Sequence, residues 1–591
     1  MKWFADSQPG CHVIITTTEN EFNLPQLPQQ KKWWIYPRIP DDISESLHEF
    51  PAYLRQILFN RGLADAASAT EYLNASHPLG DPFLLLDMEK AVERLLTAVD
   101  RQEGIVVYGD YDVDGVSATA LMVQVLRAFG AKVTRYIPNR FDEGYGVNSE
   151  AVQLLADSGA RVILTVDCGI RSPHEAELAK SLGVDMIVSD HHFPKGELPG
   201  AYAVICPKRD NDPYPDKDLA GVGLAYKIAD GLFKRRKLND LCAENWLDLV
   251  ALGTVADVVS LTGENRTLVR RGINVIRQGN RLGLQALIRV SGRDPQRISA
   301  GDIGFMLGPR LNAAGRIDSA LQAYELLMTI TMEEAGSLAQ KLDNQNSERQ
   351  RLTKETRALV EEKIGPSTSL NLISAFDASY SSGIMGLVAT NIVETYYRPA
   401  IVGNIEKDVT RASCRSIAEF HITRALDQCA DLLERHGGHA MAAGFTVRNE
   451  NRDLLIERLQ SIADDELGQK DLQKTLKADL EIPIQQVREI SLTTLDRIQP
   501  TGMNNPEAVF VSRNVAIKNA RALGADKKHL KFTCQAGDYL LDAVAWRQAD
   551  WLPFLPGKFD LMYTIEENSY MGSRTLQLNV RDLRPAADGL S

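Results

Sequence analysis

A chain of 591 residues is several times the usual domain length, so three or four domains, each with its own core, are expected. Apolar residues at 44% and charged residues at 24% fit a globular protein and exclude collagen-like, coiled-coil or disordered composition. The net charge of −12 means that any nucleic-acid partner must be met by locally gathered lysine and arginine, since phosphate contacts require cations.

Candidate basic clusters are Lys234-Arg235-Arg236-Lys237, Arg270-Arg271 and Lys527-Lys528, each of which reads first as a solvated face. No run approaches the roughly eighteen apolar residues of a spanning helix, and the first twenty residues hold only Val13-Ile14-Ile15, so a cytoplasmic protein is expected. The seven cysteines are scattered and never spaced as Cys-x-x-Cys, which argues against both a disulfide framework and a zinc ribbon.

From Gly104 to about Pro207, short β-branched runs alternate with helical patterns, the mark of βαβ units and a parallel sheet. Strands are predicted at Ile105–Tyr108, Val133–Ile137, Val162–Val166 and Met186–Val188, with Ala203–Cys206 a candidate fifth, and helices at Val116–Phe129 and Pro173–Leu182. The chemistry follows the strands. Asp110-Tyr-Asp112-Val-Asp114-Gly115 comes after the first, Asp167-Cys-Gly169 after the third and Asp190-His191-His192 after the fourth. Ligands of an open parallel sheet collect outside the carboxyl ends of its strands, so these three clusters are expected to share one crevice. Trp246–Asp257 reads as a buried apolar helix with a carboxylate at its end, and that charge needs a partner.

Glu333–Lys363 is a strongly charged helical stretch of the sort that bridges domains. A second α/β unit runs from Leu370 to about Asp464, and Leu480–Pro585 then turns to short strands with turn signals. Val509–Val515, Leu530–Cys534, Tyr539–Ala545 and Leu576–Val580 suggest a small β-barrel.

Asp110-x-Asp112-x-Asp114-Gly115 also opens like an EF-hand loop, but the twelfth position is Leu121 where calcium needs a bidentate glutamate, and the loop follows a strand. Carboxylates with an imidazole suit manganese or magnesium, whereas zinc favours histidine and cysteine. Asp112, Asp114, Asp167, His191 and Asp257, with Asp110 adjacent, are enough for two ions acting on a phosphate. Adjacent histidines alone are weak, and their place at a strand end beside two acidic clusters is what makes a ligand and a phosphate contact of them. His436-Gly-Gly-His439-Ala-Met-Ala-Ala-Gly444 and Leu307-Gly-Pro-Arg310-Leu-Asn312-Ala-Ala-Gly315-Arg316 suit phosphate recognition and equally suit ordinary turns.

Together these motifs resemble the DHH phosphoesterase superfamily, with Asp190-His191-His192 as its name motif and His436–Gly444 as the mark of its DHHA1 domain. The runs Gly109–Gly115, Ala251–Asp257 and Arg310–Arg316, followed by a barrel, resemble its single-stranded-DNA exonuclease branch. The resemblance implies an α/β fold with this division: an extension at 1–45, a parallel-sheet DHH catalytic domain at 46–332, a long connecting helix at 333–364, an α/β DHHA1 domain at 365–466 and an OB-like β-barrel at 467–591. It implies two divalent ions, Mn2+ or Mg2+, held by Asp112, Asp114, Asp167, His191 and Asp257 and supported by Asp110. His192, with Asp190, would be catalytic at the scissile phosphate. Tyr145, Arg310, Asn312, Arg316, Ser413, Arg415, Gly438 and His439 would bind the strand, with Tyr145 stacking on a base.

The implied activity is 5′→3′ exonucleolytic release of mononucleotides from single-stranded DNA by a monomer. Single-strand binding protein and a RecQ-type helicase are the implied partners. Two other readings stay open: a phosphoesterase of small substrates such as nano-RNA, cyclic dinucleotides or pyrophosphate, and a scaffold that has lost its metals. Ala412-Ser413-Cys414-Arg415-Ser416 lacks two glycines usual in the family, and Pro500-Thr501-Gly502-Met503-Asn504-Asn505-Pro506 departs from its usual barrel-side motif.

Overall fold

The structure is a computed structural model that describes residues 27–28, 31–140, 143–144, 146–365, 370–570 and 573–587. Its chain divides into two compact units, the larger taking in Lys32–Leu480 and Arg488–Val509, the smaller Glu481–Val487 and Phe510–Ser591.

In the larger unit, Gly104–Gly109 (β1), Lys132–Tyr136 (β2), Ala160–Val166 (β3), Asp185–Ser189 (β4) and Ala203–Ile205 (β5) form a parallel sheet in the order β2-β1-β3-β4-β5. Apart from the edge strand β2, in which only Val133 is buried, the strands read as near-continuous apolar runs because both faces are covered. Ile105 and Val107 pack into the core that includes helix Val113–Ala128 (α1), while Val106 and Tyr108 meet Val152 and Leu155 on the other face. The chain leaves β1, steps out to β2 and returns on the far side as β3. The carboxyl ends of β1 and β3 therefore border the point where the winding reverses, the place where such sheets hold ligands.

Helix Gly221–Arg235 (α2) and helix Leu247–Ala256 (α3) pack against α1 inside the same core. Leu247–Thr254 is buried throughout, which is why this stretch shows no amphipathic period. A π-helical turn, Ile303–Leu307, leads into helix Gly308–Ile317 (α4). The charged stretch forms a single helix of 33 residues, Met332–Ile364 (α5), started by Thr331, whose hydroxyl accepts from Glu334 N. Among the described residues, no helix is long and apolar enough to cross a membrane.

The second sheet joins Ile373–Asp377 (β6), Ala400–Ile405 (β7), Val409–Arg415 (β8), Leu433–His439 (β9) and Ala442–Arg448 (β10) in the order β9-β10-β8-β7-β6. Helix Met385–Tyr396 (α6) packs on β7 and β8. The glycine-rich element expected as a turn is thus a β-hairpin, with Gly437 and Gly438 inside its first strand.

Residues 488–509 belong to the larger unit through a polar latch. The Asn505 side chain accepts from the Tyr72 hydroxyl at 2.7 Å and donates to Ile498 O and Pro500 O, while Arg266 donates to Ile498 O at 2.7 Å. The departure at Thr501–Asn504 lies in this packed turn.

The smaller unit is a closed barrel of Phe510–Leu523 (β11), His529–Ala536 (β12), Tyr539–Ala545 (β13), Gly557–Tyr570 (β14) and Ser573–Pro585 (β15). Pairing runs β11-β12-β13-β15-β14 and closes from β14 back to β11. The closing pair joins Phe510–Ile517 of β11 to Gly557–Tyr563 of β14. β14 was not legible in the sequence, and β11 extends well past the predicted Val515. Register shifts near Ser512–Val515 and Lys518–Arg521, with Asn514 and Asn519 at positive φ, interrupt the alternation by which a strand is recognised.

Candidate metal centre and phosphate groove

Asp110 and Asp112 follow β1, Asp167 follows β3, Asp190 and His191 follow β4, and Asp257 closes α3. Their ligand atoms form three groups, Asp110–Asp112–Asp167, Asp114–His191–Asp257 and Asp167–His191–His192, within each of which the atoms lie within 4.8 Å of one another. Asp167 and His191 each belong to two groups, so the groups merge into one centre.

Local structure fixes each ligand. Asp112 caps α1, its Oδ1 accepting from Asp114 N at 2.9 Å and Gly115 N at 3.1 Å. Asp114 points at the start of α2, where its carboxylate accepts from Gly221 N at 2.6 Å and Val222 N at 2.8 Å. Asp167 sits at φ +64°, a conformation that a non-glycine residue adopts only where its surroundings enforce it. A Cβ on Gly221 would lie 2.5 Å from the Asp167 Cβ, and one on Gly253 would lie 2.7 Å from an Asp114 oxygen. These glycines make room for the carboxylates.

The electrostatics fit divalent cations. Burial, then the charge of Asp112, pushes the Asp114 carboxyl up to about 7, and burial with Asp114 and Asp112 pushes Asp257 up to about 9. Asp110 and Asp167 are driven well above the carboxylate range, first by burial and then by their neighbours' charge. His191 is held down to about 3 by burial and by His192, and so carries the neutral ring a metal requires. Its Nε2 lies 3.1 Å from Asp167 Oδ1 and 3.5 Å from Asp257 Oδ2, yet makes no hydrogen bond among the described residues. Among the described residues, Asp110 Oδ1 and Asp167 Oδ1 are likewise buried without a hydrogen-bond partner. Buried, crowded and unsatisfied donor atoms of this kind suit an ion.

Asp190 plays a different part. Burial would raise its carboxyl, but hydrogen bonds and charge from His192, with the amide of Ile170, hold it below the usual range. Its Oδ1 lies 2.7 Å from His192 Nδ1, which orients that ring.

The expected strand-binding residues divide. Ser413 and Arg415 share one face of β8, over the start of α6, where a Cβ on Gly386 would lie 2.8 Å from Arg415 Nη2 and 3.3 Å from Ser413 Oγ. Ala412 and Cys414 point the other way into the core, so the family glycines are replaced on the face away from these two side chains. Arg316 donates to Gly383 O at 3.1 Å and bridges the two α/β halves. His439 is pressed downward by burial and by the charges of Arg171, His192, Lys195 and Lys208, which places it beside the His192 end of the centre. Gly438 has φ +147°, and a Cβ there would lie 2.3 Å from Ala442 O.

Asn312 and Arg310 turn inward. Asn312 accepts from Val113 N at 3.2 Å and braces the metal-ligand loop, while Arg310 is held by Asp343 at 2.8 Å and by Met306 O. Tyr145 lies outside the described residues. Of the basic clusters, Lys234, Arg235 and Arg236 pair with Asp81, Glu89 and Asp100, Arg270 caps carbonyls and Arg271 meets Glu244. The solvated-face reading therefore holds for the first cluster and for Arg271, whereas Arg270 is half-buried against the Asp496 and Gln499 carbonyls. The cations at the centre come instead from single positions such as Arg140, Arg171 and Lys208, which no cluster signals.

Three sequence families match the chain: the DHH family, N-terminal domain, at residues 104–254, the DHHA1 domain at 369–465 and the RecJ OB domain at 478–582. The chain is 38% identical over 549 residues to the single-stranded-DNA-specific exonuclease RecJ of Bacillus subtilis (strain 168), covering 91% of this chain and 69% of that one. The chain belongs to the RecJ family.

Two solved RecJ structures from Thermus thermophilus share the fold. The complex with Mn2+ gives a TM-score of 0.81 at 28% identity, covering 94% of this chain and 79% of that one. The complex with Mg2+ gives 0.76 at 27%, covering 94% and 78%. Both RecJ metals are oxygen-seeking, in keeping with the carboxylate-rich centre of this chain.

Proposed function

We propose that this RecJ-family chain is a metal-dependent exonuclease that hydrolyses single-stranded DNA from the 5′ end and releases mononucleotides. The observation that carries the reading is the convergence of Asp110, Asp112, Asp114, Asp167, His191 and Asp257, with buried unpaired oxygens, at the carboxyl edge of one sheet.

Two bound Mn2+ or Mg2+ ions supply positive charge that lowers the pKa of a water and neutralises the phosphate under attack. Asp112, Asp114, Asp167, His191 and Asp257 hold them, with Asp110 in support. His192, oriented by Asp190, addresses the scissile phosphate or the departing oxygen. Arg316, Ser413, Arg415, Gly438 and His439 bind the strand and its 5′ phosphate, and Tyr145 stacks on a base. Arg310 joins them if it exchanges Asp343 for phosphate, and Asn312 acts through the ligand loop.

Membership of the family implies a single-strand binding protein and a RecQ-type helicase as its partners, in cytoplasmic DNA repair and recombination. Domain limits of 46–332 for the DHH half and 365–466 for DHHA1, joined by the helix at 333–364, accord with this division of labour.

Digestion of single strands labelled at either end, with Mn2+ added, tests the reading. Mononucleotides appearing first from the 5′ label are expected. No product, product from duplex alone, or equal hydrolysis of a dinucleotide and refusal of longer strands would overturn it, the last in favour of a small-substrate phosphoesterase.

A further inference from the structure

The buried face of α5 runs through Ala335, Ala339 and Leu342, all wholly enclosed, and then changes character. The next residue on that face is Asn346, only 2% exposed, and Arg349 follows one turn later. Asn346 Oδ1, Gln345 Oε1 and Arg349 Nε are buried without a hydrogen-bond partner among the described residues, and the Arg349 guanidinium makes no ion pair there. A buried polar atom left unpaired costs stability that an apolar side chain at the same position would not.

This polar stretch meets other cations. Arg310 acts on Arg349, but Asp343 neutralises Arg310 at 2.8 Å. Among the described residues, Arg316 of α4 has no such counter-ion in contact. Its one hydrogen bond among the described residues goes to Gly383 O, and Arg140, Arg349 and Arg415 all act on it. Burial, together with these three charges, brings its guanidinium down to about 10. Arginines from the loop after β2, from α5 and from β8 thus act together on Arg316 of α4, offset in part by Asp112, an arrangement that a bound anion relieves.

We propose that Arg349 and Asn346 of α5, with Arg316 of α4, form a phosphate subsite that takes a phosphate oxyanion of the bound strand. Arg349 presents its fork to two oxygens. Asn346 contributes an amide donor, since the oxygen and nitrogen of a carboxamide exchange places by a simple flip. The ligand is a phosphate from one of two sources, the terminal phosphomonoester or an internal phosphodiester. The inference rests on the nuclease reading and adds to it a contact on the connecting helix, apart from the metal ligands and from Ser413 and Arg415.

The test compares the full-length protein with Arg349→Ala and Arg349→Lys, binding an oligothymidylate in the absence of divalent ions. For Arg349→Ala, Kd should rise on the order of tenfold or more, as loss of a charge-assisted contact implies. The slope of log affinity against log salt should flatten by about 0.7, the amount for one phosphate of a single strand. Thermal stability should be unchanged or improved, because no partner is lost and repulsion falls. Arg349→Lys should restore the salt slope and part of the affinity.

Running 5′-phosphorylated and 5′-hydroxyl strands in parallel identifies the source. A loss confined to the phosphorylated strand assigns the terminal group, and a loss with both assigns the backbone. Unchanged Kd and salt slope in Arg349→Ala would overturn the subsite, as would weaker binding with an unchanged slope and a lowered Tm, the signature of a structural residue. Failure of the wild-type protein to digest single strands would instead sink the nuclease reading.

Discussion

Asp167 stands where the charge of the metal centre is most concentrated. It is buried, lies within ligand distance in two groups and feels Asp114, Asp112, Asp257 and Asp110. Neutralising it without changing its shape therefore has opposite effects on two quantities. Asp167→Asn should raise the Tm of the metal-free protein at neutral pH, because burial and neighbouring charge hold the Asp167 carboxyl above its unfolded range at a cost to folding that a neutral amide does not carry. It should also abolish the stabilisation that Mn2+ gives the wild type, about 2.7 kcal/mol at a hundredfold excess over Kd. Exonuclease activity should fall by about two orders of magnitude or more, since several kcal/mol of transition-state stabilisation are lost with the ion. Scanning calorimetry with and without Mn2+ reads the first two effects, and full activity in Asp167→Asn would remove this residue from the centre.

Single residues were the most legible part of the site. Asp110, Asp112, Asp114, Asp167 and His191 each follow a strand that its own β-branched run announces, so the strand ends place them without further information. Asn312 and Arg310 were harder, because a side chain that braces a loop and one that grips a phosphate are spelled alike.

Elements carry what the motifs leave out, and α2 is the clearest case. Its first amides hold Asp114, and farther along Lys227 is buried against Glu264, with Nζ 2.5 Å from Oε2 and 2.9 Å from Gly80 O. Glu264 also accepts from the Tyr214 hydroxyl at 2.7 Å and from Gly80 N at 2.9 Å. Both side chains are nearly fully enclosed, at 1% and 2% exposure, so removing one partner strands the other in the interior. Lys227→Met should cost about 3–5 kcal/mol of unfolding free energy, read as a lower denaturant midpoint, whereas replacing both partners by apolar residues should recover much of it. A cost within about 0.5 kcal/mol, the range of an ordinary surface substitution, would show the pair to be dispensable.

Nothing in the sequence foretold this pair or the seat for Asp114. A lysine and a glutamate 37 positions apart carry no pairing signal, and glycines 221 and 253 read as ordinary helix residues until the carboxylates beside them are placed. The same applies to Asn346 and Arg349, which sit in a helix whose other charges, such as Arg351 with Glu348 and Glu355, do pair on the surface.

At the scale of the whole molecule, a net charge of −12 coexists with a nucleic-acid enzyme because the acidic residues that bind metal, and those that neutralise surface clusters, are spent locally. Contacts that do not depend on charge then matter more for long strands, and the barrel offers one. Trp546 is 51% exposed, its ring set edge-on to His529 at 4.9 Å, on a barrel that also carries Lys527 and Lys528. A half-exposed indole costs solvation and contributes little to the barrel core, which is filled by residues such as Phe510, Phe532 and Tyr563. As a stacking platform it should contribute about 1–3 kcal/mol per base. Trp546→Ala should therefore weaken binding of strands of twenty or so nucleotides by roughly five- to a hundredfold, while leaving their salt dependence unaltered because no phosphate contact is removed. Hydrolysis of the shortest substrates, which engage the metal centre alone, should proceed at the wild-type rate. Fluorescence anisotropy across a length series separates these outcomes, and equal weakening at every length would place the effect of Trp546 on folding rather than on the strand.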